Sequence, residues 1–269
     1  MSAVTLSQLR NALAEMRTNS AVALGILDVC QRPEASAADL ADAVEPDPSI
    51  SLRVLRLANS PAFGARAEVS SVHDAVLRIG RNTTQSIAIE AALGADDGDS
   101  CPPNYWERSL LNAAASALCA REIGKVAPDA FSTGLLLDIG CYLLFRIAPE
   151  VYVDIIGAND GSHAALIELE ERMVSLTHCE VGALALEELG LSKTMCEVIA
   201  SHHRPPNADS DALLLVVTAG AALADLLLTA DEADEDDERA VWLTTLVGPP
   251  DHHRNALQEH LESLAVGVG

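Results

Sequence analysis

Leucine, valine, isoleucine and alanine recur at spacings of three and four along most of the chain. No stretch alternates apolar and polar residues for long enough to build a strand. A three-and-four spacing puts its residues on one side of an α-helix. Leu6, Leu9, Leu13 and Met16 open the pattern. A chain patterned this way buries its apolar surface by packing helix on helix. Aromatic residues make up only 3% of the chain. Alanine and leucine, which cost least in a helix, stand where a β-protein would carry aromatic and β-branched side chains. No internal repeat on the order of 20–50 residues recurs, which argues against a solenoid.

Turn and cap residues divide the pattern into elements. Ser36 and Asp39 have capping-box spacing and open a helix through Leu40 and Val44. Asp47-Pro48 breaks the chain and starts a helix through Ile50, Val54, Leu55 and Leu57, which ends near Asn59-Ser60-Pro61. Ser71 and Asp74 repeat the capping-box spacing, Gly80 closes that helix, and Asn82 is placed to cap another running to about Leu93. Residues 94–103 break the periodicity with Gly, Pro and acid, which marks a domain boundary. Pro103 stands where a helix through Trp106, Leu110, Ala114 and Leu118 would start. A helix over about 130–147 follows, ending before Pro149. Others cover about 162–174, 178–189, 192–203 (with Ser192 as its cap) and 211–229. Seven acids fall between Asp231 and Glu238, which reads as a solvated acidic loop.

Charge and cysteine usage limit the function. Forty acids against 17 Lys and Arg give a formal charge of −23. Such a chain repels phosphate backbones and anionic headgroups, so nucleic acid and membrane are not expected partners. The five arginines Arg53, Arg56, Arg66, Arg78 and Arg81 form a basic exception in the first half. They are expected to pair with acids of the second half or to dock an acidic partner. Six cysteines without a C-x-x-C pair signal neither a zinc ribbon nor a thioredoxin-like site and fit a reduced cytoplasm. Residues 212–230 are long and apolar enough to span a bilayer. Asp225 inside the segment and the lack of flanking Lys or Arg make it a buried core helix instead.

Among the histidines, His178 and the adjacent His202-His203 stand out. Asp138 is a lone carboxylate inside the apolar run Gly134 to Gly140. A buried acid needs a partner, and Asp with imidazoles is a reasonable metal set. From spacing alone the signal is weak.

Further text carries a resemblance. Asp47-Pro48, the run from Val54 to Ser60, Phe63-Gly64, Ser71 to Gly80, Tyr105-Trp106, Gly134 to Gly140, His178-x-Glu180-Val-Gly182 and Ile199 to His203 follow one another in the order of the HDOD domain. That family is a non-enzymatic offshoot of the HD superfamily of metal-dependent phosphohydrolases. The resemblance covers about residues 5–230. It implies an all-α, two-lobed protein, with an N-terminal helical lobe at 1–95 and an HD-like helical lobe at 101–269 that carries the acidic loop at 231–238. An active HD enzyme holds its metals with a His from one helix, an adjacent His-Asp pair and a closing Asp. Here Arg108, Leu137 and Gly220 fall at three of those places, although Asp225 lies close to the last. Cys141, three residues past Asp138, does not fill the gap.

The resemblance implies a cytoplasmic regulator of bacterial signal transduction that binds a protein partner. Catalysis, cofactor, nucleic acid and membrane are not expected, and the oligomeric state is left open. Arg108, Asp138, His178, His202 and His203 are then a hydrogen-bonded remnant, with Asp138 paired to Arg108 or a histidine. Any metal would sit among Asp138, His178, His202 and His203. Asn59, Ser60 and Phe63 form an inter-lobe or binding loop, chiefly structural. The alternatives are a metal-dependent phosphohydrolase with a reduced site and a small-ligand sensor that uses the HD-like cleft.

Overall fold

The computed structural model describes residues 4–17, 21–64, 68–95, 101–125, 127, 129–159, 163–204, 206, 210–228, 238–249 and 252–258. Every regular element among them is a helix. The first half contains α1 (Leu6–Arg17), α2 (Ala21–Gln31), α3 (Ala37–Val44), α4 (Pro48–Ala58), a 3-10 turn (Pro61–Phe63) and α5 (Val72–Leu93). The second contains α6 (Tyr105–Glu122), α7 (Ala130–Leu135), α8 (Ile139–Ile147), α9 (Pro149–Ala158), α10 (His163–Val174), α11 (His178–Glu188), α12 (Lys193–Ser201), α13 (Ala212–Leu228) and α14 (Glu238–Val247). A further helical stretch covers 252–258. The acidic run over 231–237 and Arg66 lie outside the described residues.

Ser36, Asp47, Ser71 and Ser192 cap helices where the sequence places them. Ser36 and Asp39 form a full capping box on α3. Asp47 accepts from the N–H groups of Ser49 and Ile50 at the start of α4, and Ser192 accepts from Met195 N–H on α12. Gly80 breaks α5 at φ 80°, so its two halves run as separate helices. Asn82 does not cap the second half. Its amide donates to Asp129 instead, tying α5 to the start of α7.

Two expectations change. Residues 130–147 form two helices, not one, because the chain turns over 136–138 between α7 and α8. This stretch is long and apolar enough to cross a membrane, but 78% of it is buried inside the fold. Pro103 stands in a turn ahead of α6, whose cap residue is Asn104. The helices α2, α9 and α14 were not foreseen.

In the first half α2, α3 and α4 pack on α5 around Ile26, Val44, Val54 and Ala75. In the second, α13 lies across α6, and α8 packs on α11. Helix α1 touches α5, α8 and α11, and Val4 N–H donates to Val174 C=O at 2.9 Å, so the N-terminal segment spans both halves. The halves also meet through Phe63 and Phe131, edge to face at 4.9 Å, and through Tyr142 O–H donating to Leu93 C=O. Helix α13, the apolar segment containing Asp225, is a core helix.

Candidate functional site

The three positions that the resemblance assigns to HD metal ligands, Arg108, Leu137 and Gly220, sit on α6, the α7–α8 turn and α13. Arg108, on α6, donates to Asp225 Oδ1 at 2.9 Å. Burial opposes the Arg108 charge, but the carboxylates of Asp138 and Asp225 outweigh it and hold the guanidinium protonated even more firmly than usual. Leu137 is fully buried in the apolar core. Gly220 meets α6 so closely that a Cβ there would stand 2.5 Å from the Ser116 backbone, so no side chain, an aspartate included, fits at this position. Asp225 comes inward five residues further along α13 and pairs with Arg108. Arg108, Leu137 and Gly220 offer a cation, an alkyl group and no side chain, none of which ligates a metal ion. The residues present therefore do not fit an HD-type metal centre.

Asp138 occupies the turn before α8 and is 4% exposed. Its Oδ2 accepts from Asn112 Nδ2 at 3.0 Å, and its Oδ1 stands 3.9 Å from His202 Nε2. Cys141 lies on the same side as Asp138. Its sulfur falls within 4.8 Å of ligand atoms of both Asp138 and His178. The sequence reading set Cys141 aside for being three residues away. At the start of a helix, however, residues i and i+3 share a face.

The histidines converge at the facing ends of α11 and α12. Thr177 caps α11 in a full capping box with Glu180. His178 follows and is completely buried. Its Nδ1 and its backbone N–H both donate to Glu170 Oε2, each at 2.8 Å. Tyr152 O–H donates to the other carboxylate oxygen at 2.7 Å. A Cβ on Gly140 would collide with the His178 carbonyl, so this glycine lets α8 approach α11 closely enough to enclose the cluster. His202 and His203 close α12. His203 Nε2 is 3.0 Å from His178 Nε2, and the His202 and His203 rings are 3.9 Å apart. His202 Nδ1 donates to Ile199 C=O at 2.7 Å, while its Nε2 is buried with no hydrogen-bond partner.

Cys179 completes the group, with its sulfur 3.5 Å from His178 Nε2. Burial pushes this thiol up, but the His178 and His202 imidazoles bring it down to about 6. Burial disfavours the His178 imidazolium, yet Cys141, Glu170 and Cys179 favour it and raise it well above the usual histidine value. The Cys141 thiol itself is pushed up to about 12 by burial.

Sequence reasoning missed Glu170 and Cys179. Glu170 had a signal. Leu166, Glu170 and Val174 stand at i, i+4 and i+8, which places a carboxylate on the apolar stripe of α10. Cys179 was legible only as the neighbour of His178. His252 is exposed, while His253 Nε2 contacts Val247 C=O at 2.8 Å.

In the first half Asn59 clamps the following loop. Its amide donates to Val69 C=O and accepts from Val69 N–H, both at 2.8 Å. Ser60 O–H donates back to Leu57 C=O, and Phe63 packs on Phe131. The basic residues are engaged near home. Arg53 pairs with the buried Glu90 at 2.6 Å and stacks 4.3 Å over Trp106. Arg78 donates to Ala58 C=O, and Arg81 to the carbonyls of Cys30, Arg32 and Ala35. These partners are carbonyl oxygens and one first-half acid. Arg53 and Arg81 thus pair within the first half.

A cavity of about 150 Å³ opens beside this region, lined in part by Tyr105, Arg108, Asp138, Cys141, Tyr152 and Asn159.

The family model described as HDOD domain matches residues 16–205. The fold is similar to that of a candidate phosphohydrolase from Shewanella amazonensis SB2B, at 23% identity over 96% of this chain and 98% of that one, with a TM-score of 0.67. A candidate signal transduction protein from Marinobacter aquaeolei VT8 aligns at 22% identity over 97% of this chain and 64% of that one, with a TM-score of 0.64. An HDOD domain protein with unknown function from Geobacter sulfurreducens aligns at 22% identity over 97% of this chain and 89% of that one, with a TM-score of 0.60. At these identities the likeness is one of fold. No curated protein sequence matches the chain.

Proposed function

The chain belongs to the HDOD domain family, and from that premise we propose that it is a non-catalytic regulator of bacterial signal transduction, cytoplasmic, acting by binding a protein partner. The observation that carries this reading is the Arg108–Asp225 ion pair at 2.9 Å. It puts a fixed cation, already matched by carboxylates, where a phosphohydrolase would keep a metal and its activated water. Leu137 and Gly220 remove two more ligands, so no water is positioned for attack on a phosphoester. Negative charge on the whole chain, together with arginines engaged by their own lobe, favours a protein partner over nucleic acid.

The cavity beside Arg108 supports a second reading, a sensor for a small molecule. At about 150 Å³ it has room for a molecule on the scale of benzene. Pockets for drug-sized ligands run to roughly 300–1,000 Å³, so a larger molecule would have to extend out of the cavity mouth. Thermal shift separates the readings, because a ligand that binds the native state raises the melting temperature. Nucleotides and cyclic dinucleotides are expected to leave the melting temperature unchanged. A saturable rise that Arg108→Ala removes would replace the protein-partner reading with the sensor.

A further inference from the structure

We propose that His178, Cys179, His202 and His203 form a structural zinc site, built without Arg108, Leu137, Asp138 or Gly220. One ligand atom from each of the four lies within 4.8 Å of all the others. Zinc takes imidazole nitrogen at about 2.0–2.1 Å and thiolate sulfur at about 2.3 Å, so neighbouring ligand atoms of a tetrahedron stand roughly 3.3–3.6 Å apart. The cluster already has that scale, with 3.0 Å between the Nε2 atoms of His178 and His203 and 3.5 Å between Cys179 Sγ and His178 Nε2.

Hydrogen bonding outside the cluster aims the ligands. Glu170 is an acceptor only, so His178 Nδ1 carries the proton it shares with Oε2 at 2.8 Å. The Ile199 carbonyl likewise fixes a proton on His202 Nδ1 at 2.7 Å. In the neutral, metal-binding form both rings then turn an Nε2 lone pair inward. A carboxylate or carbonyl behind a ligating histidine is the usual outer partner of a metal site. Without a cation, one proton can bridge His178 and His203, but His202 Nε2 is left buried and unpartnered. That atom belongs to a residue only 1% exposed. A single divalent cation satisfies all four atoms at once.

Three imidazoles and one thiolate in a tetrahedral arrangement select zinc over the harder magnesium and calcium. Four protein ligands leave no open position, so the ion pins the start of α11 to the end of α12 and activates no water. The site is therefore independent of the absence of turnover proposed above and is tested without an activity readout.

The test loads chelator-stripped full-length protein with Zn²⁺ or, as a spectroscopic replacement, Co²⁺. The expected result is one equivalent of zinc retained through gel filtration. The cobalt form should show the visible bands of tetrahedral Co²⁺ and a near-ultraviolet thiolate-to-cobalt band. Cys179→Ser should lose the thiolate band, Cys141→Ser should keep it, and Glu170→Gln should weaken cobalt binding about tenfold or more. Circular dichroism checks that each variant is folded, and the wild-type result stands without them. A wild type that retains no stoichiometric metal, a thiolate band that survives Cys179→Ser, or one that vanishes with Cys141→Ser would overturn the proposal.

Discussion

Glu170→Gln tests whether the buried carboxylate behind His178 holds the second half together. Glu170 is completely buried and accepts three hydrogen bonds, from Tyr152 O–H at 2.7 Å and from His178 N–H and Nδ1–H at 2.8 Å each. Glutamine has nearly the same shape but only one accepting oxygen. In its best orientation that oxygen faces His178, and its amide faces Tyr152, whose own hydroxyl proton is then stranded. A stranded buried donor costs about 1–3 kcal/mol, and the loss of a hydrogen bond to a charged group a further ~1.5–3 kcal/mol. Relief of the carboxylate's own desolvation offsets part of this. A net loss of about 2–4 kcal/mol results. At roughly 2–4 °C per kcal/mol for a chain of this size, the melting temperature should fall on the order of 4–16 °C. Calorimetry and urea unfolding on chelator-treated protein read this without any contribution from metal. Glu171→Gln, on the exposed side of the same helix, is the control and should stay within about 0.5 kcal/mol of wild type. If Glu170→Gln melts with that control, Glu170 is not the acceptor that anchors His178, and the outer partner assigned to this cluster is wrong.

Asp138→Ala strands the Asn112 amide that now donates to it at 3.0 Å and should cost on the order of 1–3 kcal/mol in urea unfolding; a variant as stable as wild type would place Asp138 outside the buried network. Mixed-sequence duplex DNA should show no gel shift at about 150 mM salt, since counterion release needs free basic groups, and tight binding lost in Arg53→Ala with Arg56→Ala would make the first half a nucleic-acid module. Asp39 and Asp74 are held below the ordinary aspartate value, first by their Ser36 and Ser71 hydroxyls. Their capping contribution should be complete above about pH 4 and fade as pH falls through the lower folded-state values. Carboxyl ¹³C titration checks this, and ordinary aspartate values at both sites would contradict the capping account.

The helical class and most element starts were legible because they depend on local chemistry. Ser36, Asp47, Ser71 and Ser192 cap helices with side chains two or three residues from their targets, and Gly80 breaks α5 through its own backbone. The split between α7 and α8 was not legible. Nothing polar or flexible marks residues 136–137, and the turn exists because Leu137 and Asp138 are held against the core. Helix α9 was hidden behind Pro149, which ends one helix but starts the next as its first residue. At the site, the histidines and Asp138 stood out as polar residues in apolar surroundings. Their partners did not. Asp225 reaches Arg108 across 117 positions, and Glu170 and Cys179 gain meaning only when α10, α11 and α12 meet. The basic run in the first half was legible as a cluster but not in its partners. It was expected to pair with second-half acids or an acidic partner, whereas Arg78 and Arg81 also bind carbonyl oxygens of neighbouring turns that carry no charge signature in the sequence.

Turnover tests the central claim most directly. Purified protein supplied in turn with Mn²⁺, Mg²⁺, Fe²⁺ and Zn²⁺ is given cyclic dinucleotides and nucleotide phosphates, and phosphate and linear products are measured against Asp138→Ala. With Arg108 paired to Asp225 and Leu137 buried in the apolar core, wild type and variant should both stay at the no-enzyme rate with every metal. Metal-dependent turnover by the wild type that Asp138→Ala abolishes would contradict the account and make this chain a phosphohydrolase.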